Sequence, residues 1–214
     1  MNKVIRAEFG RTINAGLIIA IAGIIFSICF DSFNDLIAGL RNGQGYVGYF
    51  FSNAAFGGMC TKYMLPVFTA LPFSVSLCQE RNNKAVSYIV SREGKNRYIF
   101  AKFIVSAISG GFVAVCGTVL LFLMLAMRFP IAGDEFEGAV VSDYFHEWSA
   151  VYYPQLYILT LSILAFCRGV IWSSLALCVS LYTSDFMVVL LSPFLGSYVL
   201  VRIFPVSYTH LTLP

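Results

Sequence analysis

FIVSAISGGFVAVCGTVLLFLMLAM, Phe103 to Met127, runs for 25 residues without a charged side chain. A helix rises about 1.5 Å per residue, so ~20 residues cross a hydrocarbon core about 30 Å thick. In lipid every backbone N–H and C=O must find its partner within the chain, and for a single segment only a helix does that. The stretch therefore predicts a membrane-spanning helix. Working outward, four more apolar runs qualify: Asn14 to Phe30, Met59 to Cys78, Leu156 to Leu181, and Phe186 to Phe204. Together the five account for half of the 214 residues. Composition agrees, with 58% apolar residues, 12% charged residues and a mean hydropathy of +0.78. Soluble domains carry roughly 25% charged residues, so these values exclude an ordinary soluble domain, and disorder with it. The expected fold is all-α, a polytopic transmembrane helix bundle with five visible spans in one domain.

Within the second run, Lys62 lies near the start and Pro66 and Pro72 interrupt the pattern. A lysine there can snorkel to the interface, and membrane helices accept proline where neighbours satisfy the freed carbonyls. The first run has no small-x-small cleavage pattern after Cys29, which argues for a retained helix over a signal peptide. Cys29, Cys60, Cys78, Cys116, Cys167 and Cys178 lie in or beside apolar runs without metal-type spacing and read as small packing residues.

Basic residues are retained on the cytoplasmic side of a membrane, which makes the connecting segments a compass. With the N-terminus inside, the inner set is Lys3, Arg6, Arg11, Arg81, Lys84, Arg92, Lys95, Arg97 and Lys102, and the outer set is Arg41, Arg128 and Arg202. The acids Asp31, Asp35, Asp134, Glu135, Glu137, Asp143 and Glu147 fall outside. Nine basic residues against three set the N-terminus in the cytoplasm. A net charge of +3 is too small to suggest a nucleic-acid partner; the lipid bilayer is the partner that composition implies.

The segment Gln79 to Lys102, QERNNKAVSYIVSREGKNRYIFAK, holds six of the fourteen basic residues and joins the second and third spans. Asn82 or Asn83 is placed to cap a helix, Val86, Ile89 and Val90 share a face, and Gly94 can end it in a left-handed turn. A short amphipathic helix over 83–93 is expected, lying on the membrane surface or pressing into a groove on a cytoplasmic partner.

The proline-bearing second run and its sequel, LPFSVSLCQERNNKAVSYIVSREGKNRYIFAKF, resemble the permease subunits of ABC-2 type transporters. Glu80, Arg92, Tyr98 and Lys102 match that family's acidic residue after the span, its Arg, and its aromatic-x-x-x-Lys pattern. WSSLALCVSLYTSDFMVVLLSPFLGSYVL extends the likeness into the fourth and fifth spans, so that it covers most of residues 1–205. The resemblance implies a bacterial plasma-membrane exporter subunit working as half of a homo- or heterodimeric permease. A separate ATPase subunit would bind ATP and Mg, and no cofactor would sit on this chain. It also implies that the helix around 83–93 is the coupling helix, with Glu80, Val86, Tyr88, Ile89 and Arg92 at the ATPase contact. The departure is length, because the family has six spans. Val206 to Pro214, VSYTHLTLP, reads as the in-frame translation of a transposase adapter used in sequencing libraries. Native sequence is therefore expected to stop near Pro205, with a sixth span lost. A non-transporting scaffold or immunity-type protein is the alternative reading of the same segments.

Catalytic motifs do not support an enzyme. GKNR at Gly94 to Arg97 lacks the glycine and the Ser or Thr of a phosphate-binding loop, and neither HExxH nor GxSxG occurs. Arg168 falls in the middle of the fourth run, where a charge costs ~2.5–3.5 kcal/mol on insertion scales. It either faces protein or a wet cavity for a functional reason, or marks a local break at Cys167, Arg168 and Gly169. Ser106, Gly110 and Ala114 form a small-residue ridge for helix packing in the third span, and Gly16 with Ala20 a shorter one in the first. Residues 128–155 read as a solvated acidic outer loop with an aromatic interfacial belt, without calcium-loop spacing. Gly39 to Gly58 reads as a glycine-rich outer loop with a short interfacial helix.

Overall fold

A computed structural model describes residues 8–10, 15–42, 58–73, 76–129 and 154–211. Residues 43–57 and 130–153, most of the two segments expected to be outer loops, lie outside the described residues. The elements are α1 (Ala15–Asp31), α2 (Phe33–Asn42), α3 (Met59–Ala70), α4 (Ser76–Asn82), α5 (Ala85–Glu93), α6 (Lys95–Ala126), α7 (Pro154–Tyr182) and α8 (Phe186–Leu211). Among the described residues the chain is all-helical. Helices α6, α7 and α8 are long and apolar enough to cross a membrane; α1 is apolar but shorter, at 17 residues.

The stretch from Met59 to Cys78 is divided, unlike the single span expected from the sequence. Helix α3 ends at Ala70, residues 71–73 form a turn, and α4 starts at Ser76. Pro72 explains the stop, because it has no N–H to donate and its ring excludes the carbonyl four residues back. That carbonyl, Phe68 O, instead accepts from Leu71 N–H across the tighter i to i+3 interval at 3.4 Å. Pro66 stays inside α3, and its own carbonyl accepts from Thr69 Oγ1 at 3.0 Å. Helix α3 packs against α1, α7 and α8, so its irregular end meets protein.

The other end of α3 is fixed by a distant side chain. The Asp31 carboxylate, at the end of α1, accepts from Cys60 N–H at 2.9 Å and Thr61 N–H at 2.6 Å. Two orphan donors of the first turn are thereby satisfied, and an anion sits at the positive end of the helix dipole. Gly58 leaves room for it: a Cβ there would meet Asp31 Oδ2 at 2.0 Å.

Helices α6 and α7 cross at glycine. A Cβ at Gly169 would lie 2.4 Å from Gly110 O, and one at Gly110 would lie 2.4 Å from the Ser173 side chain. Ser106 Oγ donates to Ser173 O at 3.2 Å, and Ser106, Gly110 and Ala114 are all buried. Lipid offers no hydrophobic drive for helix association, so close backbone approach and such hydrogen bonds hold the pair. The facing ridge, Gly169 with Ser173, was not singled out in the sequence.

Ala20, Ile24 and Ile28 of α1 join Leu65, Val113, Leu121, Leu125 and Leu161 in the main apolar core. Helix α8 is attached by a narrow face: Val189 and Ser197 are buried, whereas Met187 and Leu195 are exposed. It continues to Leu211. Helix α7 is unbroken through Cys167, Arg168 and Gly169, so the local break is corrected to a continuous helix with Arg168 half-buried in it.

Two substitutions test these contacts, with a third as control. Gly169→Ala forces backbone apart at the crossing and should cost about 1–3 kcal/mol, the usual range for overpacking. Gly10→Ala, which meets nothing within 4 Å, should be silent. Asp31→Ala removes the cap of α3 and should cost about 0.5–2 kcal/mol. Reversible unfolding in detergent, read by circular dichroism, measures all three.

Candidate functional site

The segment between the second and third apolar runs is helical almost throughout. It supplies the end of α4, all of α5, and the first two turns of α6, which begins eight residues before the uncharged stretch. This early start places Tyr98 and Lys102 at i and i+4, on one face of α6. Ser76 and Glu80 have the same spacing on α4. The two pairs meet at the end of the bundle where Arg81, Lys84, Lys95 and Arg97 collect.

Lys102 is at the centre, with 2% of its surface exposed. Its Nζ donates to Glu80 Oε1 at 2.8 Å, Ser76 Oγ at 3.1 Å and Glu8 Oε2 at 3.2 Å. An ammonium has three N–H groups, and these three acceptors use them all. Tyr98 OH donates to the other Glu80 oxygen, Oε2. The ammonium also lies over the Phe73 and Tyr98 rings, 5.1 and 5.6 Å from their centroids, where the ring quadrupoles favour a cation. Glu8, Glu80 and Tyr98 are buried as well. Removing such charges from water is costly, and only complete pairing offsets that cost.

Glu80, Tyr98 and Lys102 were singled out in the sequence, and the fold brings them into contact. Glu8 and Ser76 were not. Glu8 is 94 positions from Lys102; the one hint is its standing as the sole acid among Lys3, Arg6 and Arg11. The cluster therefore ties the N-terminal segment, α4 and α6 together at one point.

The end of α4 reaches a fourth element. Arg81 Nη1 donates to Ser180 O at 3.1 Å and Leu181 O at 3.0 Å, and Asn82 Nδ2 donates to Ser184 O at 3.4 Å. A cation on the last carbonyls of α7 complements the negative end of that helix.

Helix α5 is bounded by two unusual backbone positions. Lys84 precedes it at φ 54°, and Gly94 follows at φ 84°. Gly94 suits a positive φ because it has no Cβ; Gly94 N–H donates to Val90 O, and Gly94 O accepts from Tyr98 N–H. The expected Asn82 or Asn83 cap is corrected: Asn82 ends α4, and Lys84 holds the N-cap position without a side-chain bond. Val86, Ile89 and Val90 pack on Leu77, Tyr98 and Leu177. The apolar strip of α5 is thus turned toward the chain's own core. Val86 and Ile89 are half-buried there, while Tyr88 projects outward, 79% exposed. Arg92 belongs to α5, but its side chain lies outside the described residues.

Each named oxygen of the cluster serves Lys102 or Tyr98. What the arrangement does is join separate elements at one point. A displacement of α5 would pass through Tyr98 into α6, and through the ion cluster into α4 and the N-terminal segment. No family model, curated protein or solved structure matches this chain.

Breaking the cluster from one side should be severe. Lys102→Met removes the ammonium from beside two buried carboxylates and should cost about 3–5 kcal/mol. Combining it with Glu80→Gln should fall short of the sum of the single effects by about 0.5–3 kcal/mol, the coupling expected of residues in one network. Equilibrium unfolding of the two single variants and the double variant in detergent provides the cycle.

Proposed function

We propose that this chain is the membrane-spanning permease subunit of an ATP-binding cassette exporter of the ABC-2 type in a bacterial plasma membrane. The observation that carries the reading is the attachment of α5: a short helix between two positive-φ residues, joined to α4 and α6 through Tyr98 and the Lys102 cluster. That connection is what a lever between an engine and two membrane helices requires.

In this reading five spans cross the bilayer with the N-terminus in the cytoplasm, α3 and α4 together forming the second. The distribution of basic residues supports the orientation, and the enclosure of α3 by α1, α7 and α8 supports a broken span at membrane depth. A second permease subunit completes the path. Nucleotide-driven closure of a separate ATPase, carrying ATP and Mg, presses on α5, and the cluster converts the push into tilting of α4 and α6. Tyr88 and Arg92 are the contact residues. Val86 and Ile89 seat the lever on the bundle. Glu80 holds Lys102 at its base.

The experiment asks whether the gene lies beside one encoding an ATP-binding cassette protein and co-expresses this chain with that protein. Tyr88→Ala combined with Arg92→Ala should reduce stimulated ATPase activity to the basal rate while membrane insertion is unchanged. Unchanged stimulation in that variant, or no co-purification of the wild-type chain with the ATPase, would refute the proposal and favour a scaffold.

A further inference from the structure

Helices α4, α5, α6 and α7 leave between them a groove of about 680 Å³, within the roughly 300–1,000 Å³ range typical of small-ligand sites. Its walls are predominantly apolar: Val86 and Val90 come from α5, Ile99 and Phe103 from α6, and Leu177 and Leu181 from α7. Three basic side chains, Arg81, Lys84 and Lys95, line the same groove and are exposed. Among the described residues no acidic side chain lines it. Phe103 and Leu181 belong to the apolar stretches of α6 and α7 and remain 42% and 44% exposed. An apolar trough therefore opens between two long apolar helices and ends among three cations.

We infer that this groove binds an anionic phospholipid, with an acyl chain between α5 and α7 and the phosphate of the headgroup among Arg81, Lys84 and Lys95. Charge complementarity selects the occupant. A zwitterionic lipid would present its own cation to the three basic groups, and an apolar peptide would leave them without counter-charge. Basic pockets between membrane helices are a recurrent basis for recognising anionic headgroups. The lipid would rest on the inward face of α5, opposite exposed Tyr88, and so occupy a different surface from an ATPase contact. The inference rests on membrane embedding of these helices and is independent of transport.

The test is native mass spectrometry of the full chain in detergent, titrated with palmitoyl-oleoyl phosphatidylglycerol and with phosphatidylcholine of the same acyl chains. Phosphatidylglycerol should bind selectively. Lys84→Asn, which suits the positive φ, and Lys95→Gln should each weaken that binding about fivefold, as loss of one basic residue beside an anionic lipid predicts. Arg97→Gln removes an equal charge from α6 outside the groove and should have no effect. Cys178→Phe, which fills the groove from α7 without altering charge, should abolish selective binding. Circular dichroism of each variant verifies the fold. Equal binding of the two lipids, equal loss in Arg97→Gln and Lys95→Gln, or full competition by inorganic phosphate would overturn the inference. So would a wild-type dimer that Cys178→Phe converts to monomer, since the occupant would then be a second copy of the chain.

Discussion

Lys102 holds an ammonium group in a nearly water-free position, and that constraint organises one end of the bundle. A cation there is stable only when each N–H has an acceptor and an opposite charge lies beside it. No single helix supplies all the acceptors. Glu80 and Ser76 come from α4, Glu8 from the N-terminal segment, and the aromatic faces from Phe73 and Tyr98. Satisfying one side chain thus fixes three separate parts of the chain relative to one another. The same need explains why α6 begins well before its apolar stretch: its first two turns place Tyr98 and Lys102 where α4 can meet them.

The opposite end and the middle of the bundle use other means toward a similar result. Asp31 ties α1 to the start of α3 by accepting from two backbone N–H groups. In the middle, Gly110 and Gly169 remove the side chains that would separate α6 from α7. Each device joins elements distant in sequence by satisfying or exposing backbone, as expected where lipid replaces water and apolar contact alone cannot choose between neighbours. Helix α8, with a narrow buried face, is held by fewer such contacts.

Helix α5 differs from these fixed parts. Positive-φ residues bound it on both sides, its apolar strip rests on Leu77, Tyr98 and Leu177, and its outer face carries exposed Tyr88. It is anchored by side-chain packing and has no side-chain cap at its N-terminus. The groove beneath it means that whatever fills that space packs against its inner face. The mechanical reading and the lipid site therefore meet on opposite faces of one short helix.

Apolar run length and the absence of charge determined, from the sequence alone, that the chain is helical and has helices fit to cross a membrane, because those properties are local. Spacing also determined the short amphipathic helix before the third run, its apolar strip, and its end at Gly94. Only the tertiary structure decided which way that strip faces: Val86 and Ile89 turn inward because Tyr98 and Leu177 offer an apolar seat, and a periodic pattern carries no information about its partner. It also decided where the second run breaks. Pro66 and Pro72 look equivalent in sequence, yet Pro66 remains within α3 and the helix stops before Pro72. Glu8, Ser76 and Asp31 acquired their roles in the same way, since whether an isolated polar residue is a solvated side chain or a buried acceptor depends on the donor that folding brings to it.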